Sequence, residues 1–276
     1  EEIVILDNGS DEPRKGIEDL IGGRVRWIGA DHNHPHQWNF RRGFDQSSKK
    51  YFVILHDDDR VLPTFLERAV ATLESDDGIV AVTTNGYIID GKGRRNGQRL
   101  FPSEGPKTIE LKDSKDVAIR TSKIFLPFPN TVYRNGFPQK ITIKEEFGKI
   151  WDGIFLIDLA EHGKIVILNE MLFEYRVHES QDSSIINEEF TERKEDYILS
   201  KVEGYAEHPK IVSNIRHRQS KRFARYALKV VLMKRDPKKL FDSIDRYEYK
   251  YVTAHHTIYY LMLNPVIHFK EMLARR

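Results

Sequence analysis

The chain has 276 residues, of which 39% are apolar and 31% are charged, and its formal net charge is +2. This composition is typical of a globular protein, and the length suits one large α/β domain with a smaller appendage. The absence of cysteine from the sequence excludes disulfides, thiolate catalysis and cysteine-based zinc sites. The sequence contains neither an apolar run near the ~20 residues of a membrane span nor a visible signal peptide, which favours a cytoplasmic location.

The charge is unevenly distributed along the chain. Residues 201–276 hold 17 Lys and Arg against 7 Asp and Glu, a balance of +10, whereas the first 200 residues have a balance of −8. The acidic part suggests a main domain that binds a cation. The basic part suggests an acidic partner, such as a membrane surface or a nucleic acid.

The first half of the chain predicts buried strands that end in polar turns. Ile3-Val4-Ile5-Leu6 stops at Asp7-Asn8-Gly9-Ser10, and a second apolar run over 51–55 stops at His56-Asp57-Asp58-Asp59. Pro63 opens a predicted helix, and residues 79–83 predict a further strand.

The second half is more varied. Residues 92–122 give no clear pattern, 152–162 predict a helix, 165–168 and 171–177 predict strands, and the pattern is helical beyond 191. Alternating strands and helices predict an α/β fold with a mostly parallel sheet flanked by helices. The expected division is a catalytic domain over 1–190 and a basic helical region over 191–276.

Both acidic turns follow the carboxyl ends of predicted strands, where ligands bind in such sheets. Adjacent carboxylates repel one another unless a cation neutralises them, and hard oxygen ligands suit Mg²⁺ or Mn²⁺ bound to a diphosphate. The alternative is a solvated strand end, with Asp59 favoured near the start of the following helix.

Four segments together resemble family 2 glycosyltransferases. They are Glu2–Ser10, Tyr51–Asp59 with Pro63 beyond it, Trp151-Asp152 with 160–165, and Tyr175-Arg176-Val177-His178. Their order and spacing agree with that family across about residues 1–185. Two departures stand out: the family's first strand and helix are absent, so we expect them upstream of residue 1, and His56 stands where many members carry an Asp.

The resemblance implies a GT-A fold, a nucleotide-sugar donor, a divalent cation (Mn²⁺ or Mg²⁺) and transfer with inversion at the anomeric carbon. It places Asp7, with Asn8 beside it, at the donor base and Asp57 at the nucleotide sugar. It places Arg41 and Arg42 more loosely near the nucleotide.

The same resemblance assigns the metal to Asp58 and His178 and the general base to Asp152. Without it, the favoured interpretation of Asp152 is a helix N-cap, and that of His178 is a core or loop histidine. Tyr133 and Trp151 are candidates for stacking on an acceptor sugar, although aromatic residues are more often part of a core.

Two further features carry weaker hypotheses. His32, His34 and His36 alternate like metal ligands, but their polar setting predicts a flexible surface loop, and no metal is assigned there. The basic helix predicted over 221–235 has one apolar face, which fits either packing on the main domain or peripheral contact with anionic lipid at the inner face of the plasma membrane.

The expected function is therefore an inverting, metal-dependent transfer of a sugar to a glycan or lipid-linked glycan, as in the assembly of bacterial surface polysaccharides. A nucleotidyltransferase is the first alternative, but the Gly-rich phosphate loop expected of it is not visible in the sequence. A nucleic-acid-binding protein is the last, because the sequence shows neither a helix-turn-helix nor an RRM signature, and no nucleic-acid partner is expected.

Overall fold

The computed structural model describes residues 2–10, 25–102, 105–124, 126–178, 188–202 and 208–219. The chain divides into two compact units, Glu1–Lys201 and Val202–Arg276. In the second unit, residues 209–219 are helical. The predicted basic helix over 221–235 lies outside the described residues.

A small parallel sheet begins the first unit. Strand β1 (Ile3–Leu6) pairs with β2 (Val25–Ile28), with Ile3 opposite Val25 and Leu6 opposite Ile28. Helix α1 (His36–Gln46) follows β2. Both predicted features of this region, a β-branched strand and a polar turn directly after it, are present.

A seven-stranded sheet forms the rest of the frame. Its path runs β3-β8-β5-β9-β4, with β6 added to β5 and β7 added to β9. The strands are β3 (Tyr51–Val53), β4 (Arg60–Val61), β5 (Ile79–Ile89), β6 (Arg95–Arg99), β7 (Thr108–Leu111), β8 (Thr131–Arg134) and β9 (Lys164–Arg176).

The helices of this unit are short and amphipathic or wholly buried. After α1 come α2 (Phe65–Ser75), α3 (Ser114–Thr121), α4 (Trp151–Leu159) and α5 (Glu188–Val202), with 3₁₀ turns at Pro138–Lys140 and Glu145–Ile150. Helix α2 buries Phe65, Ala69 and Leu73, which recur every four residues and so share one face.

The α/β class is confirmed, but the large sheet is mixed rather than mostly parallel. Among the described strands of that sheet, β5 and β9 are the one parallel pair. The other pairs are antiparallel: β8 with β3 and with β5, β9 with β4 and with β7, and β5 with β6. The local cause is visible at Asp90, where a tight turn folds β6 back on β5. A polar strand such as β6, exposed along its length, gives little signal in a hydrophobicity pattern.

Strand pairing brings distant segments to one edge of the sheet. The parallel register places Ile89 of β5 opposite Arg176 of β9, so both strands end at the same edge. The short strand β4 runs antiparallel to β9, with Arg60 opposite Glu174. The acidic turn over 56–59 immediately precedes β4 and therefore lies beside the end of β9.

Candidate active site

The acidic turn after β3 brings three ligand-type side chains together. The ligand atoms of His56, Asp58 and Asp59 all lie within 4.8 Å of one another. Asp57 is exposed and does not belong to this group. The turn therefore separates its carboxylates into one that faces outward and two that converge with an imidazole.

Asp59 is the buried member of the group. Its side chain is 1% exposed, and its Oδ1 accepts a hydrogen bond from the Arg176 backbone N–H at 2.8 Å. Burial raises the pKa of this carboxyl to about 7, although the hydrogen bond from Arg176 acts in the opposite direction. Asp59 does not serve as the cap of α2, whose N-cap is Thr64.

The end of β9 completes the cluster from the other side. His178 Nε2 lies 3.2 Å from Asp58 Oδ2. The Arg176 guanidinium donates from Nε to the Asp58 carbonyl at 2.6 Å and from a terminal nitrogen to the Asp90 carbonyl at 3.0 Å. Arg176 therefore fixes the backbone of the acidic turn, while His178 approaches its side chain.

This cluster fits a divalent cation. The buried atoms Asp59 Oδ2 and His56 Nε2 have no hydrogen-bond partner among the residues that the structure describes. Buried polar atoms are normally paired, so two such atoms in one cluster indicate a missing partner. A mixture of carboxylate oxygens and imidazole nitrogen suits Mn²⁺. The carboxylate oxygens by themselves would also suit Mg²⁺.

The first polar turn, after β1, is held by α1 and by the loop after β2. Asp7 Oδ1 accepts from the Ser10 N–H at 3.0 Å, and hydrogen bonds from Ser10 lower the pKa of the Asp7 carboxyl. Arg42 donates to the Asp7 carbonyl at 2.8 Å. Asn8 donates to the His34 carbonyl at 2.8 Å. Asp7, Asn8 and Arg42 thus form one continuous group.

Arg41 does not join that group. Its guanidinium donates to the carbonyls of Ile141 at 3.1 Å and Gln139 at 3.0 Å. Adjacent residues on a helix point about 100° apart, so Arg41 and Arg42 serve different sides of α1. Arg41 holds the segment after β8 in place, and its nucleotide contact stays a prediction.

Asp152 lies in the first turn of α4, beside a lysine from α5. Its Oδ1 accepts from the Gly153 N–H at 2.7 Å. Burial raises the pKa of the Asp152 carboxyl, while the charge of Lys194 lowers it. A Cβ on Gly153 would stand only 3.0 Å from Lys194 Nζ, so a glycine at 153 leaves room for the ammonium group.

Helix α1 contacts all three groups. Arg42 reaches the Asp7 carbonyl, and the Phe40 ring lies with its centroid 5.6 Å from that of His56 and 5.2 Å from that of Trp151. The two polar turns and the start of α4 are therefore neighbours around one helix. This shared neighbourhood is what a single active site requires.

The two aromatic acceptor-side candidates are core residues. Tyr133 is 0% exposed and stacks on Phe52, and Trp151 is 3% exposed and packs between Phe40 and Phe155. Neither ring has a free face for a sugar. The acceptor-side expectation is corrected for both, because their strand and helix turn these side chains into the aromatic core.

Sequence reasoning assigned no individual site role to Asp59, Arg176 or Lys194. Asp59 and Arg176 do lie in motifs that the sequence singles out, but the burial of Asp59 depends on how β4 pairs with β9. The approach of Lys194 depends on how α5 packs and has no local signal.

Comparisons with known proteins give one family match and one similar solved structure. The model of glycosyl transferase family 2 matches residues 1–137. The crystal structure of S. aureus TarS 1-349 is similar with a TM-score of 0.58 and 15% sequence identity, and the match covers 84% of this chain and 67% of that one. The comparison with curated proteins gave no match.

The family match and the similar fold together indicate a GT-A-like glycosyltransferase. The family model includes Glu2–Ser10 and Tyr51–Asp59 and so confirms the resemblance for these two motifs, whereas the motifs at Trp151-Asp152 and at 175–178 lie beyond the matched residues. Within the described residues, every helix is too short or too polar to cross a membrane.

Proposed function

We propose that this protein is an inverting, metal-dependent glycosyltransferase that moves a sugar from a nucleotide-sugar donor to a hydroxyl of a glycan or lipid-linked glycan. The observation that carries the proposal is the placement of α1, which contacts the Asp7 turn, the His56–Asp59 turn and the start of α4. The family match favours this activity over a nucleotidyltransferase.

The acidic cluster supplies the donor end of the site. His56, Asp58 and Asp59, with His178 beside Asp58, would hold Mn²⁺ or Mg²⁺. When bound, such an ion stabilises the negative charge that develops on the diphosphate as the sugar leaves. Asp57, which is exposed next to the cluster, is proposed to contact the nucleotide sugar. Asp7 and Asn8 are proposed to contact the nucleobase, and Arg42 supports them through its hydrogen bond to the Asp7 carbonyl.

Asp152 is the proposed general base. An acceptor hydroxyl is a weak nucleophile, and a positioned carboxylate that takes its proton contributes typically ~10²–10⁴-fold to the rate. Single displacement with inversion needs the base and the leaving group on opposite faces of the sugar. Burial raises the pKa of Asp152, which makes its carboxylate a stronger base, and the charge of Lys194 acts against that shift.

The proposed acceptor and cellular setting rest on the charge of the basic C-terminal region. Residues 201–276 carry a balance of +10, which would favour an anionic lipid surface and hence a lipid-linked acceptor in the assembly of a surface polysaccharide. Most of that region lies outside the described residues, so the membrane contact stays a prediction.

The test begins with a panel of nucleotide sugars, scored by Mn²⁺-dependent donor hydrolysis and by thermal shift. With the donor so identified, Asp152→Asn is expected to abolish sugar transfer and to leave the dissociation constant of the donor within about threefold, since the base acts only in the chemical step. Asp77→Asn, at a carboxylate that is 98% exposed, is the control. Retained turnover of Asp152→Asn would remove Asp152 from the base role.

A further inference from the structure

The loop between β2 and α1 contains a second cluster of ligand-type side chains. Asp31 Oδ1 lies 3.0 Å from His32 Nδ1 and 2.9 Å from His34 Nε2. Two imidazole nitrogens thus converge on the same carboxylate oxygen. We propose that Asp31, His32 and His34 form a Zn²⁺ site that ties this loop together, independent of the catalytic cation.

The spacing of the three atoms suits a shared ion. Ligands ~2.0–2.1 Å from Zn²⁺ in tetrahedral geometry stand about 3.3–3.4 Å from one another. The separations of Asp31 Oδ1 from the two nitrogens need to open by only a few tenths of an ångström to reach that value. The ligand set of two imidazoles and one carboxylate leaves a fourth position for water.

The imidazole of His34 is already oriented. Its ring stacks on Trp38, with centroids 3.9 Å apart and planes 20° from parallel, and the Arg42 guanidinium lies 4.9 Å from the Trp38 ring centroid. A ring held by packing loses little rotational freedom when it binds an ion. The stack therefore orients the His34 ring, as a hydrogen bond to the second ring nitrogen does for many metal-binding histidines.

The backbone of the loop is fixed as well. Asn8 donates to the His34 carbonyl at 2.8 Å, and its Oδ1 accepts from the His34 N–H at 3.4 Å. Gly9 has φ +76°, and a Cβ there would stand 2.4 Å from the carbonyl carbon of His32. The β1 turn thus fits closely against the histidine loop only because residue 9 is glycine.

This arrangement differs from the flexible loop that the sequence predicts. The polar residues of this loop and Pro35 do not predict that Asn8, in the turn after β1, holds the backbone of His34. His36, the third alternating histidine, is the first residue of α1 and lies outside the ligand cluster. Of the three alternating histidines, His32 and His34 therefore belong to the proposed site and His36 does not.

The two clusters should prefer different ions. Each cluster has two imidazoles, but the histidine loop offers one carboxylate, which suits Zn²⁺, whereas the catalytic cluster adds the two carboxylates of Asp58 and Asp59 and so suits harder ions better. Zinc at the histidine loop would join the residues after β2 to the turn after β1, next to Asp7. It is expected to stabilise the folded protein and to take no part in the transfer step.

The experiment measures Zn²⁺ binding to the metal-free full chain by competition with a chromophoric chelator. The parent is expected to bind Zn²⁺ with a micromolar or lower dissociation constant, and His32→Ala and Asp31→Asn are expected to weaken this site by about tenfold or more. His36→Ala is the matched control and should bind as the parent does. Asp58→Asn should retain this site, which separates it from the catalytic cluster.

A second measurement locates the ion. Co²⁺ at His34 would quench the fluorescence of the stacked Trp38, so quenching should be lost in both His32→Ala and Trp38→Phe. Equal Zn²⁺ affinity in His32→Ala and the parent would overturn the proposal. So would a dissociation constant above about 1 mM, which corresponds to only ~4 kcal/mol.

Discussion

His178 Nε2 and Asp58 Oδ2 lie 3.2 Å apart, although 120 positions separate the two residues in the sequence. The pair joins the end of β9 to the acidic turn before β4. Because both groups are proposed to face one cation, we expect their contributions to its binding to be coupled. His178→Ala and Asp58→Asn should each weaken Mn²⁺ binding about tenfold or more, and the double variant should lose less than the sum of the two losses.

Calorimetric titration of Mn²⁺ into the metal-free protein measures this coupling. Asp57→Asn is the internal comparison, because Asp57 is exposed and outside the cluster. The Asp57→Asn variant should retain its affinity for Mn²⁺ and bind the nucleotide-sugar donor more weakly. Losses that add fully in the double variant would show that His178 and Asp58 do not share an ion.

Lys194 is expected to set the pH range of the reaction. Burial raises the pKa of Asp152, and the positive charge of Lys194 lowers it, so removal of that charge raises it further. A base works only when ionised. The acid limb of the kcat/KM profile should therefore move to higher pH in Lys194→Met, with the largest loss of activity below the midpoint of the parent.

Lys201→Met, on the same helix, is the control for that profile, because Lys201 pairs with Glu161. It should leave the acid limb in place. An unchanged profile in Lys194→Met, at normal folding stability, would show that the ammonium group does not act on the base.

The local part of the site could be predicted from the sequence. Asp7 directly follows one apolar run, and Asp57 and Asp58 lie in the polar turn after another. A strand that ends in a polar turn is a signal that a few adjacent residues carry. The α/β class follows from the order of such segments, and the GT-A-like fold is implied by their resemblance to family 2 glycosyltransferases.

The long-range part could not be predicted in the same way. Burial of Asp59 comes from the pairing of β4, only two residues long, with β9. The core position of Tyr133 comes from β8 lying between β3 and β5. Neither pairing has a periodic signature, because strand order is decided by packing across the whole sheet.

Arg176 is expected to support the cation site through the backbone. Its guanidinium donates to the carbonyls of Asp58 and Asp90, and charge-assisted hydrogen bonds contribute about 1.5–3 kcal/mol each. Arg176→Met should lower the free energy of unfolding by at least the contribution of one such bond, about 1.5–3 kcal/mol. It should also weaken Mn²⁺ binding, because the acidic turn loses the hydrogen bonds that hold its backbone.

Urea denaturation and Mn²⁺ titration of the same preparation measure both effects. Arg68→Met is a suitable comparison, because Arg68 is a half-exposed arginine that pairs with Glu170 at the surface. That change should cost at most about 1 kcal/mol and should leave Mn²⁺ binding intact. Unchanged Mn²⁺ affinity in Arg176→Met would show that the turn keeps its shape without the guanidinium.

The hydroxyl of Tyr133 separates a core role from an acceptor-binding role. The side chain is fully buried, and its hydroxyl makes no hydrogen bond to any residue described by the structure, although Thr131 is near. Removal of an unpaired buried hydroxyl is nearly neutral or stabilising. Tyr133→Phe should therefore keep transfer activity within about twofold and change the free energy of unfolding by less than about 1 kcal/mol.

Tyr133→Ala should instead destabilise the fold by about 3–5 kcal/mol, as expected for an emptied aromatic site. If Tyr133→Phe lost most of its activity at unchanged stability, the hydroxyl would have to take part in acceptor binding, and the assignment of Tyr133 to the core alone would fail.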